Sequence, residues 1–191
     1  INKTTEKNLT DAYNSTYKEG LIYARDINHM INYTNEVYKS EGLALVQKIP
    51  TPITPVDIDR TSRHITLAYF DKKSTVDYIG VVQGIPVCFD AKECAAEIFP
   101  LSNVHIHQME FMRAFEKQAG TAFLIVFFTS KNEAYYIPFS TLSEFWQRML
   151  DGGKKSFSYN ELDKSLLINI KNDFMLHYLE QLEIDLKNRY R

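Results

Sequence analysis

Seven consecutive apolar residues, Ala122-Phe123-Leu124-Ile125-Val126-Phe127-Phe128, constrain the fold of this chain more than any other feature. Successive side chains of a strand point to opposite faces, so this run needs apolar cover on both sides at once. It is far too short to span a bilayer, which takes about 20 residues of helix. The place it fits is the centre of a sheet with layers on either face, so the chain is expected to be α/β. A length of 191 residues favours one domain over two, and 45% apolar residues allow a real core.

The flanking patterns supply the rest. Ala24, Ile27, Met30, Ile31, Val37 and Tyr38 recur at helical spacing between Leu21 and Ser40, with Thr34 the one polar member of the stripe. Leu43 to Ile49 reads as a strand. His105 to Gln118 predicts a second helix stopped by Gly120, and Glu133 to Phe139 a strand returning beside the apolar run. Ser140 is the expected cap of a short helix carrying Trp146, and an amphipathic helix is predicted from about Leu167 to Lys187. Residues 1–20 are polar and aperiodic, the pattern of a flexible arm ahead of a single domain over 21–191.

Ile49-Pro50-Thr51-Pro52-Ile53-Thr54-Pro55 excludes a helix or a central strand there. With Ile65 to Phe70 as a returning strand, the segment from Pro50 to Asp71 reads as a projecting arm or as a solvated surface loop.

Charge and cysteine content narrow the function classes. A formal net charge of −2 gives no global field for a polyanion, so nucleic-acid binding would need local basic patches and a metal. Cys88 and Cys94 make neither a disulfide framework nor a zinc pattern. With no apolar signal segment near the start, a reducing cytoplasm is the expected setting.

The chemistry is concentrated in two β-rich runs, Val76 to Val82 and Ile85 to Lys92, joined at Gln83-Gly84. A two-residue turn there sets Val82 against Ile85. Counting outwards brings Asp77 opposite Asp90 and Thr75 opposite Lys92, with Asp90 and Lys92 on one face. Cross-strand Cβ atoms lie about 4.5–5.5 Å apart, so two facing carboxylates repel unless something compensates. A divalent cation with hard oxygen ligands, Mg²⁺ or Mn²⁺, would do so and could activate water against a phosphate. The alternative is that both aspartates solvate exposed strand ends. His105-Ile106-His107 could suggest a metal pair, but near a helix start it fits a capping or surface pattern better.

The runs Lys48-Ile49-Pro50-Thr51-Pro52, Ala68-Tyr69-Phe70, Ser74 to Gly80, Phe89-Asp90-Ala91-Lys92-Glu93, Phe99-Pro100-Leu101, His105 to Gln108 and Phe145-Trp146 resemble, in order, the RecU family of Holliday junction resolvases. That family belongs to the restriction-endonuclease-like nucleases. The resemblance spans roughly residues 21 to 160 and implies a central mixed β-sheet flanked by helices, with the Pro50–Asp71 arm as a stalk entering the junction. It also implies a homodimer that cuts four-way DNA junctions in recombination and repair with Mg²⁺ or Mn²⁺, and recombination proteins as further partners. Asp77 and Asp90 match metal ligands, Lys92 the catalytic lysine, and Thr75 and Gln108 positions near the metal and the attacking water. Arg60, Arg63, Lys72, Lys73, Lys154 and Lys155 are candidate phosphate contacts.

Two departures stand out. Asp90 replaces the usual glutamate, and the acidic cluster of the family's first helix falls on Asn28, His29 and Met30, with Asp26 the nearest carboxylate. A catalytically impaired junction-binding accessory protein is therefore the alternative function, and a nuclease for ordinary duplex or mismatched DNA a third.

Overall fold

The computed structural model describes residues 26–70, 75–171 and 175–189. Helix α1 (Ile27–Ser40) leads into strand β1 (Ala44–Lys48), followed by β2 (Ile53–Ile58) and β3 (Ile65–Phe70) as one hairpin and by β4 (Tyr78–Val82) and β5 (Ile85–Cys94) as another. A short strand β6 (Ile98–Pro100) and helix α2 (Ile106–Lys117) then cross over to β7 (Thr121–Phe128), which turns back through β8 (Glu133–Pro138). Helix α3 (Phe139–Leu150), strands β9 (Ser156–Ser158), β10 (Leu167–Ile168), β11 (Ile170–Lys171) and β12 (Met175–Leu176), and helix α4 (Tyr178–Arg189) complete the chain.

The central sheet runs β1-β4-β5-β7-β8-β10. All its pairings are antiparallel except β5 with β7, whose parallel alignment demands the α2 crossover. Every residue of β7 is buried. Phe123, Ile125 and Phe127 enter one core with Ile27, Met30 and Ile31 of α1 and Tyr178 and Leu182 of α4. Ala122, Leu124, Val126 and Phe128 enter a second with Met109 and Met112 of α2 and Leu142, Phe145 and Trp146 of α3. The expected α/β architecture, a mixed sheet between helical layers, is thus present, and the apolar run is its centre.

On the α1/α4 face an aromatic stack crosses four adjacent strands. Ring centroids of Tyr78 and Phe89 lie 4.8 Å apart, Phe89 and Phe123 4.6 Å, and Phe123 and Tyr136 4.3 Å. Such contacts add to area burial and fix the lateral alignment of β4, β5, β7 and β8. Thr34 is fully buried but satisfied, its hydroxyl donating to Met30 O and accepting from Leu176 N–H. At the far end of α4, Arg189 grips Asp185 and Glu116, while Tyr136 donates to Asp185 at 2.7 Å. That ties α4 to α2 and to the sheet.

The β4–β5 register is the expected one, Val82 with Ile85 through Tyr78 with Phe89. Gln83 and Gly84 have φ of 47° and 86°, the all-positive pair of a type I′ turn that follows strand twist. Glutamine is an unusual choice there, and its side chain explains it: Nε2 donates to Gly42 O and Leu43 O, pinning the turn to the start of β1. Among the described residues, β2 and β3 pair only with each other. Pro55 sits opposite Ala68, where the register begins to shift, a position open to a residue with no N–H.

Several local expectations are corrected. The C-terminal helix begins at Tyr178, not Leu167, because Leu167–Ile168 adds to the sheet edge beside Tyr135 and Ala134 and Ile170–Lys171 pairs with Met175–Leu176. Ser140 lies inside α3 and does not cap it; Pro138 occupies that position. After α2 the left-handed residue is Ala119, with φ 62°, while Gly120 is required by the Phe115 ring, which an ideal Cβ would approach to 2.3 Å. Residues 1–20, and 21–25 of the predicted first helix, lie outside the described residues.

Gly80 marks the tightest approach in the sheet, for a Cβ there would come within 2.2 Å of Leu45 O and 2.6 Å of Val46 Cα. Gly80→Ala must push β1 away from β4 and should cost about 1–3 kcal/mol. Urea denaturation reads this as a lower midpoint at unchanged slope; an unchanged midpoint would show that β1 moves freely.

Candidate active site

The β4–β5 hairpin continues beyond its last ladder pair to bring Asp77 and Asp90 together. Asp77 N–H donates to Asp90 Oδ1 at 3.2 Å, and Asp77 Oδ2 accepts Ala91 N–H at the same distance. Each carboxylate is therefore held by the other strand's backbone. Lys92, on the same face two residues along, places Nζ 2.6 Å from Asp90 Oδ2. From α2, Gln108 donates Nε2 to Asp90 Oδ1 at 2.9 Å while its Oε1 accepts the N–H of His105 at 3.0 Å. The four residues Asp77, Asp90, Lys92 and Gln108, separated by up to 31 positions, meet at one point because β5 and α2 adjoin.

Asp90 is fully buried. Burial pushes its carboxyl up to about 7; the Lys92 ammonium pulls against this and the Asp77 charge adds to the rise. Oδ1 accepts two hydrogen bonds, whereas Oδ2 is buried and lies against the Lys92 ammonium. A buried carboxylate oxygen in this state suits a small hard cation. Mg²⁺ commonly takes one or two protein carboxylates and completes its shell with water and substrate phosphate. The donor set of Asp77 and Asp90 fits that pattern. Among the described residues, no third His, Cys, Asp or Glu joins them in a group that could hold a metal ion.

Asp26 has another task. It caps α1, accepting Asn28 N–H at 2.9 Å, and its Oδ2 lies 3.3 Å from His29 Nδ1. Asn28 accepts at Oδ1 from Lys48 Nζ at 2.9 Å and from the Tyr78 hydroxyl at 3.2 Å. Tyr78 also reaches Asn32 Oδ1 at 3.0 Å. Its hydroxyl is pushed well above the usual phenol range, first by burial and then by the charges of Asp77, Asp26 and Asp90. Sequence reasoning did not single out this Asn28–Lys48–Tyr78 group, since Lys48 and Tyr78 meet through the pairing of β1 with β4 and Asn28 reaches both from α1. Glu93 was also missed; its Oε1 accepts the N–H of Ile27 at 2.8 Å and fixes the start of α1 one residue beyond Lys92.

The remaining expected residues are dispersed. Thr75 is half-buried two residues before Asp77. Arg60 and Arg63 are exposed at the tip of the β2–β3 hairpin. There Arg63 has φ 59°, and the Asp59 carboxylate, lowered by the Ser62 hydroxyl and the Thr61 N–H, organises the turn. Lys154 and Lys155 are exposed in the loop between α3 and β9, where Lys155 O accepts the N–H of Leu101. Lys72 and Lys73 lie outside the described residues. No described helix is long and apolar enough to cross a membrane.

Comparison with known proteins bears on this geometry. The protein described as Holliday junction resolvase RecU of Leuconostoc mesenteroides is 41% identical over 186 residues, covering 94% of this chain and 90% of that protein. The protein of that name from Listeria welshimeri is 42% identical over 149 residues, covering 76% and 72%. Among solved structures, Hjc of Archaeoglobus fulgidus, a Holliday junction resolvase, covers 74% of this chain and 90% of its own with a TM-score of 0.39 and 10% identity, too slight a likeness to bear on function. The family described as RecU, Recombination protein U, matches residues 24–184. By that match and by these identities, the chain belongs to the RecU family.

Proposed function

We propose that this protein is a structure-specific endodeoxyribonuclease that resolves four-way Holliday junctions in recombination and repair, acting as a homodimer with Mg²⁺ or Mn²⁺. The observation that carries the reading is the convergence of Asp77, Asp90, Lys92 and Gln108 in a chain whose relatives bear the name Holliday junction resolvase. Two copies related by a two-fold axis would present two such sites to two strands of like polarity.

Asp77 and Asp90 would hold the divalent cation, with Thr75 beside them. When bound, such a cation neutralises charge on the scissile phosphate and makes a coordinated water more acidic. Lys92, whose ammonium lies beside Asp90, would face the charge that builds on the phosphate. Gln108 keeps Asp90 oriented and stands near the position of an attacking water. The β2–β3 hairpin, with Arg60 and Arg63 at its tip, would enter the junction as a stalk, and Lys72, Lys73, Lys154 and Lys155 would contact phosphates flanking it.

The lack of a carboxylate at Asn28, His29 and Met30, where the family's acidic cluster is expected, and the net charge of −2 support a second reading, a junction-binding accessory protein with an impaired site. Incubating the protein with a synthetic four-way junction and either metal separates the two. Resolution predicts paired, symmetric nicks, lost by roughly 100-fold or more in Asp77→Ala and Lys92→Ala with junction binding retained. Binding without nicks in either metal would establish the accessory reading instead.

Asp90 gives a pH test. Its carboxyl titrates near 7 in the fold and near 4 in an unfolded chain, so between these values the native state holds the extra proton. Stability from this group therefore falls as pH rises from about 4 to about 7. Asp90→Asn should raise the melting temperature at pH 8 and not at pH 4, by about 2–4 °C per kcal/mol for a chain of this size. Cation binding needs the ionised carboxylate, so Mn²⁺ should stabilise the wild type more at pH 8 than at pH 6 and leave Asp90→Asn unmoved. A pH-independent gain would refute the assignment.

A further inference from the structure

We infer that His105 and Ile106 form a ledge on which a nucleobase of the cleaved strand stacks, next to the scissile phosphate. This rests on the nuclease reading above and names a specificity determinant for it. His105 is exposed at the start of α2, and its ring packs against that of His107 with centroids 5.3 Å apart and planes tilted by 13°. Ile106, between them in sequence, is 57% exposed. The result is a near-parallel aromatic pair at the surface with a β-branched apolar side chain from the same turn. Exposed aromatic faces are the usual platform for unstacked bases, and they accept bases with little regard to sequence unless a neighbouring side chain selects among them.

Position makes this more than a surface feature. Gln108 bonds His105 N–H with one end of its amide and Asp90 Oδ1 with the other. One buried side chain therefore fixes the ledge relative to the proposed catalytic carboxylate, and a base held there stands at a set distance from the phosphate under attack. The lead-in to the ledge also adjoins the basic loop: β6 pairs with β9 at Pro100 and Ser156, and Leu101 N–H bonds Lys155 O. The segment that leads into His105 is thereby joined to the loop that carries Lys154 and Lys155. Stacking would be paid by an unpaired or strained base, as branched DNA supplies and a continuous duplex does not.

The test uses the full-length protein and four-way junctions that vary in the nucleotides beside the cut. His105→Ala with Ile106→Ser should alter the preferred cleavage positions and raise KM several-fold, with junction binding retained. His105→Phe keeps the ring face and removes its hydrogen-bonding nitrogens, so it should restore the wild-type cleavage pattern. In the binding-competent Asp77→Ala background, a junction carrying 2-aminopurine next to the cut should change fluorescence on binding, and the change should vanish when His105→Ala is added. If His105→Phe behaves like His105→Ala, the imidazole works through hydrogen bonding and the stacking ledge is overturned. An unchanged cleavage pattern in the double variant overturns it equally. Absence of cutting by the wild type would instead count against the nuclease reading itself, and the 2-aminopurine signal would still report whether the ledge holds a base.

Discussion

Burial of β7 on both faces is the constraint on which the remainder of the structure rests. A strand buried at every position, seven of them apolar, cannot sit at an edge or face water on either side. It takes β5 as a parallel neighbour and β8 as an antiparallel one, with α1 and α4 covering one face and α2 and α3 the other. The parallel pairing with β5 has a chemical consequence. It requires a crossover, the crossover contains α2, and α2 delivers Gln108 to the carboxylate carried by β5. The same demand for apolar cover thus builds the core and assembles the site at its margin.

The site is a place where the fold works against its own stability. Asp90 is sealed in with hydrogen bonds to one oxygen and an ammonium against the other. Burial still raises its carboxyl to about 7, so ionisation at neutral pH is unfavourable without further positive charge. The aromatic stack from Tyr78 to Tyr136 and the Arg189 network lie on the opposite face or at the far end of the sheet. They hold the strands while one end carries this strain.

Some of this was legible without coordinates. The Gln83-Gly84 turn and strict strand alternation placed Asp77 opposite Asp90, because register in a tight hairpin follows from the turn alone. The helix over His105 to Gln118 was likewise a matter of local periodicity. Errors arose where local pattern is ambiguous. Leu167, Ile168 and Ile170 satisfy helical spacing as well as short strands, and only the open edge of β8 chose the strand. Gly120 looked like a helix stop but serves the Phe115 ring, and Ala119 takes the left-handed turn.

By itself the sequence determined the two-faced central strand, the facing aspartates with their lysine, and the family to which those motifs belong. These depend on neighbours a few residues apart or on ordered motifs along the chain. Tertiary structure alone decided what those aspartates experience. Contacts between Gln108 and Asp90 and within the Asn28–Lys48–Tyr78 group join segments 18 to 50 residues apart. Burial, and with it the proton affinity of Asp90, belongs to the packed whole. It arises from every layer that excludes water from the hairpin on which the two carboxylates face each other.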